Sequence, residues 1–382
     1  HRFKEEEKMM TKKEKKRVPE LRFEGFEGEW EEKRLGDVAI KKSSNIAANK
    51  IEDNFGEYII YGAPGILKRV DFYEEENDYI SIVKDGAGVG RVLYCKGKSS
   101  VLGTLDMIKP KKGLDTYFLF CLLENINFTK YVTGSTIPHI YFKDYKKEII
   151  GLPTLQEQTK IAQFLSALDT RIQQLEKKKT LLEQYKKGVM QKIFSQEIRF
   201  KDDDGKEFGE WEERRVSEMF RVTRGTVLSM TKVRDSEDSE FKYPVYSSQT
   251  KNNGLSGYYD EYLYENAITW TTDGANAGDV NYRTGKFYCT NVCGVLLSDE
   301  GYANTFIAEK LNSVSRRYVS YVGNPKLMNG VMSEIAIKVP CLAEQTKIAH
   351  FLSSLDRKIA VMEQQIAGAK EYKKGVLQRM FV

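Results

Sequence analysis

The sequence predicts an α+β protein: two β-rich α+β blocks separated by two long helices packed as an antiparallel coiled coil, arranged as a pseudo-two-fold internal repeat. Three observations predict it. A 42-residue segment occurs twice, its apolar residues recur every three or four positions, and short β-type runs precede each copy.

The repeat anchors the reading. Residues 153–194 begin PTLQEQTKIAQFLSALDTRI and end EQYKKGVMQKIF; residues 340–381 begin PCLAEQTKIAHFLSSLDRKI and end KEYKKGVLQRMF. Aligned without a gap, they match at 22 of 42 positions. A fainter echo precedes each copy, RFEGFEGEWEEKRLGDV at 22–38 and RFKDDDGKEFGEWEERRVSEM at 199–219. These bounds give an N-terminal arm (1–18), a first block (19–151), a first helical segment (152–198), a second block (199–338) and a second helical segment (339–382). The arm, rich in Lys and Glu, reads as a mobile tail or short helix open to a partner.

Each repeated segment reads as one long helix. Apolar positions in the first copy are Ile161, Leu165, Leu168, Ile172, Leu175, Leu182, Val189 and Ile193, interrupted at Lys179 and Lys186. The second copy has Ile348, Leu352, Leu355, Ile359, Met362, Ile366, Ala369, Val376 and Met380, interrupted at Lys373. A mean spacing of about 3.5 keeps one seam facing a partner helix. Roughly 38 residues at 1.5 Å each give a rod of about 57 Å. A single rod with an exposed seam is unstable in water, so the simplest arrangement packs one copy against the other, antiparallel, with a block at each end. A helical hairpin inside one domain, or a coil between chains, is the alternative; neither explains why the flanking blocks recur.

Pro153 and the Thr154–Glu157 pair predict a helix start with a capping box. The second copy keeps Glu344 but has Cys341 in place of the Thr, which predicts a weaker cap. Gly188 and Gly375 occupy the same place in both copies, where a helix-interior Gly costs about 1 kcal/mol relative to Ala. Their recurrence suggests a bend or a close helix crossing, although shared ancestry also accounts for it.

The two blocks differ in sequence but share a layout. EYIIYGAPGIL and DYISIVKDGAGVGRVLY in the first, and KYPVYSSQTKNNG and NAITWTTDGANAGDVNY in the second, read as strands and turns, with Asp-Gly turns at Asp85 and Asp273. A helical stretch follows in each, Thr116–Phe128 and Ala303–Val322, then a Gly-containing loop. Each block is expected to be a compact domain dominated by a curved or barrel-like sheet.

Basic and amide residues cluster in the loops. The first block has Lys41, Lys42, Asn45, Lys68, Arg69, Lys84 and Arg91; the second has Arg221, Arg224, Lys232, Arg234, Gln249, Lys251, Asn252, Asn253 and Asn276. Lys and Arg neutralise phosphates, and Arg, Asn and Gln reach base edges with two hydrogen bonds. Tyr61, Tyr246 and Trp270 are candidates to pack against sugars or bases. Taken singly, an exposed Lys is most often only solvated; the clustering in both blocks is what points to DNA.

Composition narrows the class. The net charge of +5, from 60 basic and 55 acidic side chains, is compatible with nucleic acid and decides nothing alone. No apolar run is long enough to span a bilayer, and the start HRFKEEEKMMTKKEKKR has no apolar core, so the expectation is a cytoplasmic chain without membrane contact. Five scattered cysteines do not make a disulfide framework, and Cys289 and Cys293 read as two buried thiols, not a zinc site.

No catalytic constellation emerges. DGAGVG at 85–90 lacks the strand–turn–helix context of a dinucleotide site, and Gly97–Lys98–Ser99 lacks the first Gly of a P-loop. The Pro-Pro-aromatic element of amino-methyltransferases is missing, and among the three histidines His139 reads as a turn residue in preference to a DNA contact.

The P-x-L-x-EQ-x-KIA-x-FL-x-x-LD segments at 153–169 and 340–356, with the GEWEEKRLGDV and GEWEERRVSEM entries, resemble specificity subunits of type I restriction–modification enzymes over the chain after residue 18. The resemblance implies two target-recognition domains separated by conserved spacer helices, each reading half of an asymmetric bipartite site in double-stranded DNA. It implies a non-catalytic chain that binds no cofactor. The partners would be two adenine methyltransferase subunits using S-adenosylmethionine and two motor–nuclease subunits using ATP and Mg. The DNA-binding candidates are then Lys41, Asn45, Lys68, Arg69, Lys84, Arg91, Arg224, Lys232, Arg234, Gln249, Lys251, Asn252 and Asn276. The spacer and partner-binding candidates are Ile161, Leu165, Leu168, Ile172, Leu175, Ile348, Leu352, Leu355, Ile359 and Met362. The competing readings are an adaptor whose twin domains bind proteins, and a stand-alone DNA methyltransferase or nuclease, which the missing motifs disfavour.

Overall fold

The computed structural model describes residues 17–51, 56–248 and 251–382, apart from the side chains of Lys50 and Lys251. The expected arm up to residue 16, and Gln249, lie outside the described residues. In chain order the first half runs β1 (Glu31–Arg34), α1 (Leu35–Val38), β2 (Ala39–Ser43), β3 (Tyr58–Gly62), β4 (Gly65–Val70), β5 (Tyr79–Val83), β6 (Val92–Cys95), β7 (Ser99–Val101), β8 (Leu105–Pro110), α2 (Thr116–Glu124), α3 (Phe142–Tyr145), β9 (Ile149–Leu152) and α4 (Leu155–Phe194). The second half repeats the plan: β10 (Glu212–Arg215), α5 (Val216–Met219), β11 (Arg221–Arg224), β12 (Tyr243–Tyr246), β13 (Leu255–Tyr259), β14 (Tyr264–Thr271), β15 (Val280–Cys289), β16 (Cys293–Leu297), α6 (Thr305–Ser315), α7 (Asn329–Glu334), β17 (Ala336–Val339) and α8 (Leu342–Met380). Contacts gather these elements into two compact units, His1–Lys177 with Gln364–Val382, and Lys178–Glu363.

Unit one holds a four-stranded sheet in the order β2-β8-β5-β6 and a three-stranded sheet in the order β4-β3-β7. Every residue of β5 is buried, because both of its faces are covered. Ile80 and Ile82 join the cluster under α2 with Phe118 and Leu122, while Tyr79 and Val83 point the other way, onto Ile60, Leu105 and Met107. Unit two joins the corresponding strands into one six-stranded sheet, β11-β16-β14-β15-β12-β13. The same alternation along β14 sends Ile268 and Trp270 towards α6 and Ala267 to the opposite face.

The faint sequence echo closes each block. β1 pairs antiparallel with β9, Glu31 opposite Leu152, and β10 pairs with β17, Glu212 opposite Val339. First and last strands of a block thus meet where its long helix begins. There Glu157 is 2% exposed and takes two bonds from Arg22, at 2.7 and 2.8 Å, with the Trp30 indole at 3.3 Å. Glu344, fully buried, takes the matching pair from Arg199 at 2.9 and 2.8 Å. The next residues also correspond: the Gln158 amide donates to the Pro153 carbonyl at 2.9 Å, and that of Gln345 to the Pro340 carbonyl at 2.8 Å. The expected capping box is only half formed. The Glu157 N–H donates to Thr154 Oγ1 at 3.4 Å, but its carboxylate is committed to Arg22, as a buried charge requires.

Within each unit the two long helices run antiparallel. In unit one Asp169 faces Lys373 and Glu176 faces Lys370; in unit two Lys179 faces Glu363 and Lys186 faces Asp356. Ile161, Leu165, Ile172, Leu175, Ile348, Leu352 and Leu355 are buried, while Leu168, Ile359 and Met362 are half-buried, since a two-helix seam covers each side chain from one side only. The lysines that interrupt the apolar spacing are not gaps. They lie in the seam and pair with carboxylates.

Three expectations need correction. A Cβ on Gly188 or Gly375 would meet nothing within 4 Å, so neither marks a close helix crossing. The helical stretches are shorter than Thr116–Phe128 and Ala303–Val322. Asn127 caps a separate turn at Phe128–Tyr131, and Ser320 is drawn into backbone pairing with Lys326. The side-chain box at Thr154 is the third. Among the described residues no helix is long and apolar enough to cross a membrane.

Candidate nucleic-acid interface

In both units the central strand ends in an Asp-Gly turn. Gly86 and Gly274 adopt φ of +81° and +94°, which favours glycine, and the chain returns through a bond from the Gly90 N–H to Val83 O at 2.8 Å, or from Gly278 to Thr271 O at 2.9 Å. DGAGVG is therefore a turn between strands, with β6 following it, and Ser99 opens β7 where a P-loop would start a helix.

The candidate cations of unit one are anchored, not loose. Lys84 and Lys41 lie 3.4 and 3.8 Å from the buried Asp106 carboxylate, and Lys41 also donates to Ser43 Oγ at 2.7 Å. Lys42 donates to Glu75 at 2.8 Å, and Lys109 is the second partner. Burial pushes the Glu75 carboxyl up, but the bonds from Lys109 and Lys42 outweigh it and hold its pKa below the ordinary range. Arg91 caps the Ala63 carbonyl at 2.7 Å, and Arg69, beside the half-buried Lys68 on β4, donates to Glu57 O at 2.9 Å. Asn45 is exposed. The structure thus gathers Lys41, Lys42 and Lys84 about two buried carboxylates and ties Arg91 to the β3–β4 turn.

In unit two Arg224 reaches Thr272 Oγ1 at 3.2 Å and Asp273 at 3.3 Å, and its Nε is buried without a partner among the described residues. Asn276 donates to Ser248 O at 3.2 Å, tying the Asp-Gly turn to the neighbouring loop. In that loop Asn252 and Asn253 are exposed, with φ of +51° and +52°. Lys232 is exposed, and Arg234 lies 4.8 Å over the Phe241 ring. Gln249 and the Lys251 side chain are outside the described residues.

Two aromatic candidates are excluded from stacking on a base by their burial. Trp270 is 1% exposed and its indole donates to Leu327 O at 2.9 Å; Tyr61 is 7% exposed and its hydroxyl accepts from the Lys96 N–H at 3.3 Å. Tyr246 is engaged by a residue the sequence did not single out. The Arg283 guanidinium sits 3.7 Å over its ring and donates to Thr269 Oγ1 at 3.0 Å and Asn253 O at 2.7 Å. Arg283 lines a polar cavity of about 270 Å³ and has no carboxylate partner among the described residues. Its position within a Tyr-rich alternating strand is the only signal the sequence offered.

His139 is a turn residue, pairing its backbone with Thr133 while Nδ1 lies 3.1 Å from Ile137 O. Cys289 and Cys293 are buried thiols whose pKa values burial raises, that of Cys293 to about 11. No group of three or more potential metal ligands occurs among the described residues.

The model of the type I restriction modification DNA specificity domain matches residues 27–184 and again 209–371. A Mycoplasma pneumoniae protein named as the N-terminus of a type I specificity subunit is 38% identical over 144 residues, covering 37% of this chain and 75% of that protein. A second M. pneumoniae type I specificity subunit is 37% identical over 145 residues, covering 37% of this chain and 39% of its own length. The crystal structure of a type I restriction–modification S subunit from M. genitalium superposes with a TM-score of 0.73 at 18% identity, over 96% of this chain and 99% of that one. Two matched domains, each a β-rich block followed by its long helix, account for most of the residues: the chain belongs to the type I restriction–modification DNA specificity family.

Proposed function

We propose that the chain is the sequence-reading, non-catalytic subunit of a type I restriction–modification complex. Each β-rich block reads one half of an asymmetric bipartite site in double-stranded DNA, and the paired helices set the gap between the halves. The single observation that carries this reading is the doubled domain: two frameworks of the same plan present unlike loops, as two readers of unlike sequences must. The loop cations support it. Lys232, Arg234 and Arg224 in unit two, and Lys84, Arg91 and Lys68 in unit one, supply charge for phosphates, and Asn45, Asn252, Asn276, Gln249 and Lys251 supply donors for base edges.

Methylation and cleavage belong to partners on this reading. Two adenine methyltransferase subunits, carrying S-adenosylmethionine, dock on the helical segments, and two motor–nuclease subunits use ATP and Mg. Adenine methylation requires a base flipped out of the duplex, so the methylating partner holds the reacting base while this chain fixes the register.

Binding of the full chain, alone and with its methylating subunit, to random and selected duplexes over a salt series tests the reading. Affinity that falls steeply with salt, together with enrichment of a two-part sequence, is expected. Salt-insensitive binding without enrichment contradicts it and favours a protein-binding adaptor.

A further inference from the structure

Each unit carries a seven-residue hairpin that is framed in the same way and tipped differently. Thr133 and His139 exchange backbone bonds at 2.9 and 2.8 Å, and Ser320 and Lys326 exchange theirs at 2.9 Å each. Both hairpins are fastened to the Asp-Gly turn by the same two bonds. In unit one the Gly86 N–H donates to Pro138 O and the Ile140 N–H to Lys84 O, both at 2.9 Å. In unit two the Gly274 N–H donates to Pro325 O and the Leu327 N–H to Thr272 O, again at 2.9 Å. Behind the hairpins Ile140 and Leu327 are buried at 1% and 0%, so the frames are held by the cores.

The tips share only their proline: residues 134–138 read GSTIP and 321–325 read YVGNP. They also expose apolar side chains. Ile137 is 62%, Tyr321 68% and Val322 91% exposed, the last being the most exposed large apolar residue among those described. Residues 131–143 contain no acidic side chain and residues 316–328 contain none beside Arg316, Arg317 and Lys326. At the base of the unit-two tip Arg316 and Lys326 pair with Asp279 and Asp273, but neither tip carries an acidic side chain of its own. An apolar tip without carboxylates suits a polyanion that also displays apolar edges. Duplex DNA does so, with phosphates beside the grooves and thymine methyl groups within the major groove.

We infer that these two tips are base-reading elements, one for each half-site. Side chains at 135–137 and at Tyr321, Val322 and Asn324 contact base edges, and the common frame holds each tip at the same place on its own block. The inference rests on the DNA-reading function proposed above and names the residues that perform it. A repeated frame with an unlike tip gives two readers equal placement and different preferences.

The test is selection from random duplexes by the full chain with its methylating subunit. Wild type is compared with a Tyr321→Ser/Val322→Ser variant and with a graft that replaces 321, 322 and 324 by the residues of 134, 135 and 137, keeping Gly323, whose φ is +74°. All substituted positions lie in an exposed tip, and thermal melting verifies the fold. The expected result is a loss of about tenfold in preference for the bases of one half-site in the double variant. The graft is expected to enrich different bases there, and the other half-site stays unchanged in both. Wild-type selection retained by both variants overturns the inference alone, as does an equal loss of affinity for every duplex. A wild-type complex that enriches nothing overturns the DNA-reading function and the inference with it.

Discussion

Lys373 and Asp169, 204 residues apart in sequence, meet at 2.9 Å across the helical seam, and Glu124 of α2 accepts a second bond from the same ammonium at 3.0 Å. The repeat makes the contact twice: Lys186 donates to Asp356 at 2.7 Å and to Glu309 at 2.9 Å. Each copy's YKKG lysine therefore holds the LD aspartate of the other copy.

Replacing Lys373 with Met leaves Asp169 and Glu124 facing each other, with side chains only 22% and 29% exposed. The expected loss is about 2–3 kcal/mol in urea unfolding of the full chain. Burial lowers the Lys373 pKa, but Glu124 and Asp169 raise it further, so the net shift is upward from 10.5. The stabilisation is thus fully present below that value and is lost as pH rises through the folded-state pKa. A variant as stable as wild type at neutral pH contradicts the clasp.

Arg22→Ala orphans Glu157, which is almost fully buried. The expected cost is about 3 kcal/mol, and a joint Arg22→Met/Glu157→Leu change costs less than Arg22→Ala because no charge is left unpaired. A double-mutant cycle on melting curves checks the coupling. Additive losses refute it.

Acid tests the loop cations. Since bonds from Lys109 and Lys42 hold the Glu75 carboxyl low, its contribution to stability is present above the ordinary glutamate pKa of 4.5 and is lost as pH falls below it. Glu75→Gln flattens the acid limb of stability against pH. An unchanged limb shows that the pairing adds nothing.

Helix length is expected to set the spacing of the half-sites. Inserting seven residues at equivalent places in α4 and α8 adds two turns, about 10 Å, and preserves the seam. The preferred gap should lengthen by roughly three base pairs of 3.4 Å each. Methylation mapping that finds the original gap rejects the spacer role.

The duplication and the seam were legible because they are periodic, and periodicity survives without coordinates. The roles of the interruptions were not. A lysine in a heptad reads as a defect until its carboxylate, brought from the other copy by the antiparallel pairing, is in view. The Thr154–Glu157 pair reads as a local cap because the cation that takes Glu157, Arg22, lies 135 residues away. Trp270 and Tyr61 read as interface residues because alternation along a strand does not say which face is covered when both are. For the same reason nothing in the strand pattern marks Arg283. The loop cations are legible by type and clustering, but only the fold shows that Lys41 and Lys84 bracket Asp106. The repeated hairpin frame was invisible, since its bonds are made by backbone atoms.

The central claim is that one polypeptide holds two independent readers. Residues 40–150 can be exchanged for the corresponding segment of another family member, and the sites methylated by the assembled complex mapped. One half of the recognised sequence is expected to change while the other is kept. A change in both halves, or in neither, contradicts the account.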